Sequence, residues 1–191
     1  GQVFSRAGYG TVVTGIPLAG SVGIGDKVES VPGGVAGRVR GIQRFQRDSE
    51  RGEYGQCLAL NIPDFGKKQP LRGDVVGAPG YLEPARTIHA RLRTVPDMPP
   101  LRNAEAITFH TGTAETRGKL YLLDRECPDS TKDCFCAIVL AEPVVTARHD
   151  RFIVRRLSPA ATIAGGEILD MATEACKPRK RDAAERLSAY V

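Results

Sequence analysis

Few residues in this chain carry the side chains that do chemistry, and their spacing limits what that chemistry is. His149-Asp150 with Ser158 downstream holds the ingredients of a nucleophilic triad, in which a base activates a hydroxyl and an acid orients the base. No Gly-x-Ser-x-Gly elbow presents the serine, so a hydrolase using His149 is a distant alternative. Cys127, Cys134 and Cys136, with His149 further on, are ligand types that suit zinc. A Cys-x-Cys pair along one strand puts both thiols on the same face, and no Cys-x2-Cys partner exists. Buried free cysteine is the plainer reading, and no metal site is expected. The Gly-Lys pairs Gly66-Lys67 and Gly118-Lys119 are followed by Lys68 and Leu120, not by the Ser or Thr that a phosphate-binding loop needs. Gly8-Tyr9-Gly10 lacks the third glycine of a dinucleotide fingerprint and leads into a strand. Neither GTP nor NAD is expected to bind these residues through either loop.

The remaining chemistry is cationic. Arg38, Arg40, Arg44, Arg47 and Arg51 crowd one stretch, and Arg38, Arg40 and Arg44 share parity. Arg148, Arg151, Arg155 and Arg156 form a second group, and Lys177, Arg179, Lys180 and Arg181 a third. Guanidinium forks suit phosphate oxygens, and a β surface reads RNA backbone shape better than base sequence. The plainer alternative is a solvated face offset by Asp48, Glu50 and Glu53.

These groups have to be held by strands. Short aliphatic and β-branched runs recur between Gly, Pro and Asp turns: Thr11–Ile16, Asp26–Val31, Ala36–Ile42, Gln56–Ile62 and Asp74–Ala78. After Pro84 come Ile88–Thr94, Ala106–His110, Lys119–Leu123, Cys134–Leu140 and Phe152–Arg156. This spacing predicts an all-β sandwich or barrel with mostly antiparallel pairing. Ile88, Ala90 and Leu92 alternate with His89, Arg91 and Arg93, as one buried face requires. Cys134–Leu140 is apolar throughout, which fits a strand covered on both sides. Pro79 and Pro84 bracket a break in the periodicity, so two small barrels are expected over 1–83 and 84–170. Residues 171–191 read as a basic linker and a short C-terminal helix, with Asp182 as its cap and Ala183, Leu187 and Tyr190 at helical spacing.

Composition agrees with that class. The 191 residues are 41% hydrophobic and 26% charged, with 21 Gly, 13 Pro and no Trp. This balance excludes a disordered tail and argues against a helical bundle. The apolar runs are about one strand long, too short for a membrane-spanning helix, so no membrane partner is expected. Five scattered cysteines do not make a disulfide framework, so reduced thiols and a cytoplasmic location are expected. The net charge of +5 is spread along the chain and by itself names no partner.

Several motifs occur together in a familiar order. Val3-Phe4-Ser5-Arg6-Ala7-Gly8-Tyr9-Gly10-Thr11-Val12-Val13-Thr14-Gly15 resembles the opening strand pair of domain 2 in translational GTPases. Gly20 to Asp26, Arg38 to Gln43 and Leu71-Arg72-Gly73-Asp74-Val75-Val76 continue that domain. His110 to Glu115, Asp150 to Arg155 and Thr162 to Leu169 are similar to the selenocysteine-specific elongation factor family, SelB. The resemblance extends from residue 1 to about 170. It implies two β-barrels of the translation-factor type, domains 2 and 3 of an EF-Tu-like factor. It further implies a GTPase domain in the parent chain, where GTP and magnesium would bind, and no cofactor or catalysis on these residues. Aminoacyl-tRNA (selenocysteinyl-tRNA if the family function is retained), the ribosome and that G domain are the implied partners. Arg38, Arg40, Arg44, Arg72, Arg151 and Arg155 are the candidate RNA contacts.

The same resemblance implies an aminoacyl pocket at Gly1, Gln2 and Cys57, where SelB proteins carry an Asp-Arg pair and a further Arg. None of the three is charged. A selenol is acidic, so a cationic pocket favours selenolate over neutral serine, and its loss predicts lost selenocysteine selectivity. The alternative role is a structural, ribosome-docking module that relays the GTPase state with little RNA affinity of its own.

Overall fold

The computed structural model describes residues 1–6, 10–66, 68–123 and 133–175. The chain divides into two compact units, Gly1–Glu83 and a second that begins at Pro84. Apart from one 3-10 turn at Pro63–Gly66, every regular element among the described residues is a β-strand.

The second unit closes. Its strands are β11 (Pro84–Thr94), β12 (Glu105–Thr111), β13 (Ala114–Leu122), β14 (Cys134–Val145), β15 (Arg151–Arg156) and β16 (Ala161–Ala172). They pair antiparallel in the ring β11-β14-β13-β12-β15-β16. Alternation drives this closure: Ile88, Ala90 and Leu92 of β11 are fully buried beside Ile107, Phe109, Leu120, Ile138, Val154 and Ile168. Phe109 and Phe152 stack inside with ring centroids 5.3 Å apart. The opposite side of β14 is covered too, because Phe135 and Ala137 pack with Leu123 and Leu169. Strand β16 was not expected from periodicity, and it continues past residue 170 to Ala172. The helix expected over 171–191 lies outside the described residues from Cys176 onward.

The first unit departs from a closed barrel. It holds β1 (Gln2–Arg6), β2 (Gly10–Gly15), β3 (Ser21–Gly23), β4 (Lys27–Val31), β5 (Val35–Arg38), β6 (Gly41–Arg44), β7 (Arg47–Ser49), β8 (Arg51–Glu53), β9 (Leu58–Asn61) and β10 (Val75–Gly77). These form three sheets, ordered β1-β2-β9-β6-β7, β10-β4-β5 and β3-β8, around Val28, Val39, Ile42, Leu58, Ile62 and Phe65. Strands of three to six residues are too short to carry a continuous ladder round the unit. The run Ala36–Ile42, expected as one strand, breaks at Val39-Arg40, and its halves join different sheets. Val39 is fully buried and its N–H donates to the Asp26 carbonyl at 3.0 Å, while Arg40 N–H donates to Asn61 at 2.8 Å. The chain turns a corner there, so Arg38 and Arg44 do not share a sheet face.

Candidate nucleic-acid interface

Register defines a polar row across the five-stranded sheet. Gln2 pairs with Thr14, Thr14 with Ala59, Ala59 with Gln43, and Gln43 with Asp48. Directly paired residues point to the same side, and the alternate row (Val13, Leu60, Ile42) faces the core. The Gln2 row is therefore outward. The neighbouring outward row is Phe4, Val12, Asn61 and Gly41. Asn61 Oδ1 is buried without a hydrogen-bond partner. Cys57 immediately precedes β9 at the end of this sheet; its thiol is free and exposed. Gln2 N–H donates to Thr14 Oγ1 at 2.9 Å, and Gly1 precedes it at the strand's start. Gln2 thus lies on the outward face of β1, two strands from β9, which Cys57 precedes, and neither outward row holds a cation.

At the end of the sheet beside Cys57 the chain makes a two-residue hairpin. Arg44 and Arg47 face each other across β6 and β7, joined by Phe45 and Gln46 at φ 49° and 66°. Two consecutive positive φ values mark a type I′ turn, for which Asn-Gly is the favoured pair. A bulky residue in that region costs about 1–2 kcal/mol. Phe45 is 64% exposed, and its N–H donates to the Cys57 carbonyl at 3.3 Å. Arg44, Phe45, Arg47, Asp48 and Gln56 line an open cleft of about 500 Å³. The one carboxylate in that lining, Asp48, accepts a hydrogen bond from Gln43 Nε2 at 3.1 Å.

The other expected contacts divide by environment. The Arg38 guanidinium donates to the Gly25 carbonyl, and its backbone N–H to Asp64, so this residue braces a turn. Arg40 is exposed at the sheet corner, and Arg72 is exposed in the Leu71–Asp74 turn. In the second unit Arg151 is paired in register with Glu167. Arg155, also outward, joins a row that periodicity did not single out: it pairs with Thr108, and Thr108 with Arg117. Lys119 follows two residues along β13 on the same side. The parity of Arg117 and Lys119 was readable, but their alignment with Arg155 depends on the β12–β13–β15 register. Among the described residues none of these three cations has a carboxylate within 4 Å, which fits a surface left open to an anion.

Near Arg151 the charges are spent internally. Glu167 sits 2.6 Å from His149 Nδ1 and accepts from Arg91 Nη2 at 2.9 Å. Those two hydrogen bonds, with the charges of Arg91 and Arg151, hold its carboxyl below the usual range against the opposing effect of burial. At another edge Arg156 Nε donates to Glu105 Oε1 at 2.6 Å. Burial works to raise the Glu105 carboxyl, but the Arg156 hydrogen bond, the Arg102 N–H and both guanidinium charges together lower it.

This arrangement removes the hydrolase reading. His149 engages Glu167, while Asp150 caps its own turn by accepting from Thr146 Oγ1 and Ala147 N–H at 2.9 and 2.8 Å. Ser158 lies beyond the opposite end of β15, whose six residues span about 20 Å. Among the described residues no group of three His, Cys, Asp or Glu side chains is placed to hold a metal ion. Cys136 is free and buried, whereas Cys134 is disulfide-bonded, so the expectation of reduced thiols fails at Cys134. Cys127, Cys176 and the basic group 177–181 lie outside the described residues. No helix among the described residues is long and apolar enough to cross a membrane.

Comparison with known proteins agrees with this geometry. A family model described as the selenocysteine-specific elongation factor beta-barrel domain matches residues 88–175. The selenocysteine-specific elongation factor of Desulfomicrobium baculatum is 32% identical over 170 residues, 88% of this chain and 27% of that protein. Its counterpart in Escherichia coli (strain K12) is 30% identical over 169 residues, 88% of this chain and 26% of that protein. A crystal structure of a bacterial selenocysteine-specific elongation factor, EF-Sec, is similar with a TM-score of 0.75 and 27% identity, covering 98% of this chain and 31% of that one. The chain spans about a quarter of the length of these curated relatives. It belongs, over about 88% of its residues, to the SelB-like β-barrel domains of the selenocysteine-specific elongation factors, within the EF-Tu superfamily.

Proposed function

We propose that this chain supplies the aminoacyl-tRNA-binding β units of a SelB-like elongation factor, acting in the cytoplasm on the ribosome. GTP hydrolysis belongs to a G domain of the parent protein, and these residues are not enzymatic alone. The aminoacyl group docks at Gly1, Gln2 and Cys57. Phosphates of the tRNA meet Arg40, Arg44 and Arg72 on the first unit and Arg155 on the second, while Arg38 and Arg151 act mainly through their own internal partners.

The observation that supports this reading is the stretch Gln2–Thr14–Ala59–Gln43, uncharged up to Asp48 at its end, with Cys57 just before β9. Those four positions suit a neutral polar ligand held by hydrogen bonding, and they themselves offer a selenolate no counter-charge. Selenocysteine selectivity is therefore weak in this protein. Full-length protein in its GTP state, titrated with seryl- and selenocysteinyl-tRNA, should bind the two within a small factor. Cys57→Arg should restore preference for the selenolate form. Strong native preference for selenocysteinyl-tRNA would refute lost selectivity.

RNA affinity itself has a separate check. Retention of tRNA by the 191-residue chain should fall steeply with salt, because each phosphate contact releases counterions. Replacing Arg155 and Arg117 together by glutamine should flatten that slope. Failure to retain tRNA at low salt would instead favour the relay role, in which the two units dock on protein and ribosome alone.

A further inference from the structure

Strand β14 opens on Cys134, which is disulfide-bonded and 2% exposed. It pairs in register with Leu92 at the end of the β11–β14 ladder and joins the core there with Leu101 and Leu122. Cys57 and Cys136 stand outside the bond, so its second sulfur belongs to Cys127 or Cys176, both beyond the described residues. Two of the five cysteines are thereby used, which leaves three thiols. Asp133, the residue just before, is the shared anion of two guanidiniums. Its Oδ1 lies 2.7 Å from Arg93 Nε and its Oδ2 3.8 Å from Arg91 Nε. Arg91 has a second carboxylate, Glu167, at 2.9 Å, whereas Arg93 has no other among the described residues.

From this arrangement we infer that the Cys134 disulfide is a reversible redox switch, whose opening loosens the start of β14 and releases Arg93 from Asp133. The inference rests on the cytoplasmic reading above, because disulfides that form in that compartment are usually redox-sensing. Asp133 precedes the ladder, and the covalent link one residue on fixes the approach of its carboxylate to Arg93. Ladder ends open at lower cost than ladder centres, so a reagent reaches the bond without unfolding of the barrel. In the step itself a dithiol thiolate attacks one sulfur, and the other sulfur leaves as a thiolate that takes up a proton. The second thiol of the reagent then closes a cyclic disulfide, so two electrons and two protons pass to the chain. Glutathione disulfide reverses the step. Arg93, 60% exposed, is a compensated cation in the oxidised state and an uncompensated one in the reduced state.

The test uses the full 191-residue chain purified without reductant, denatured, tagged with a maleimide and weighed. Three adducts are expected before dithiothreitol and five after it, and mixtures of reduced and oxidised glutathione should move the count both ways. Of Cys127→Ser and Cys176→Ser, one should abolish the bond and the other leave it. In the folded chain, reduction should lower the melting temperature by several degrees. It should also speed hydrogen exchange at Leu123, whose N–H donates to the Phe135 carbonyl at 3.0 Å. Cys134→Ser should match the reduced protein and ignore dithiothreitol. Reduction and Asp133→Asn should each add about 0.9 to the salt slope of tRNA retention, and together no more than either alone. Five adducts before reductant, a count that glutathione leaves fixed, or a bond that survives both partner variants would overturn the switch. So would equal melting and exchange in the two states, or a salt slope that reduction leaves unchanged while tRNA is bound. No tRNA retention in either state would defeat the RNA reading, while adduct counts and exchange would still decide the switch.

Discussion

Phe45 and Gln46 occupy a turn whose geometry suits neither of them. Left-handed backbone is sterically open to Gly and tolerated by Asn, whose short side chain bonds locally. Replacing Phe45-Gln46 by Asn-Gly should stabilise the first unit by about 1–2 kcal/mol, measured by urea denaturation. A variant that loses stability would show that Phe45 packs against something useful in the folded state. At this scale, what could be read from the chain depended on local pattern. Cys57 was legible because Gly55-Gln56-Cys57-Leu58 keeps a recognisable order around a changed residue. The opposition of Arg44 and Arg47 was not, since it exists only once a two-residue turn sets the register.

Strand β16 shows the same contrast at the level of elements. Gly165-Gly166 reads in sequence as a tight corner, yet both glycines lie within the strand, paired with β11 on one side and β15 on the other. Neither needs a positive φ. What Gly166 provides is room: a Cβ there would collide with the Arg91 carbonyl oxygen, whereas one on Gly165 would lie 3.2 Å from the Phe152 carbonyl. Gly166→Ala should therefore destabilise the barrel by about 1–3 kcal/mol, and Gly165→Ala by clearly less. Thermal melts of the two variants would check the order, and equal losses would mean that the strand pair yields without cost. The period-2 alternation of β11 was visible because one side is wholly buried. β16 was hidden because its central glycines carry no side chain to alternate, and the first unit's strand break at Val39-Arg40 was hidden because neither corner residue is a turn former.

Over the whole molecule, a net charge of +5 coexists with carboxylates that are committed to internal partners. Glu105 is the clearest case, since its side chain is only 12% exposed and is held by the Arg156 guanidinium and the Arg102 N–H. Its folded pKa lies below the ordinary 4.5. The stabilisation is therefore fully present above the unfolded value and is lost as pH falls through the folded one. Glu167 has the same sign, so the second unit should keep a constant melting temperature from neutrality down to about pH 5 and lose it below. Glu105→Gln should cost about 1–3 kcal/mol near pH 7, because Arg156 would be left half-satisfied in a covered site. The gap between wild type and variant should then narrow steadily on acidification, as the wild-type carboxyl takes up its own proton. A gap that stays constant from about pH 7 to about pH 3 would show that the loss came from packing and that the ion pair contributes nothing. Because the Arg155, Arg117 and Lys119 row lies outside these internal pairs, its cations remain free for an anionic partner through the same pH range.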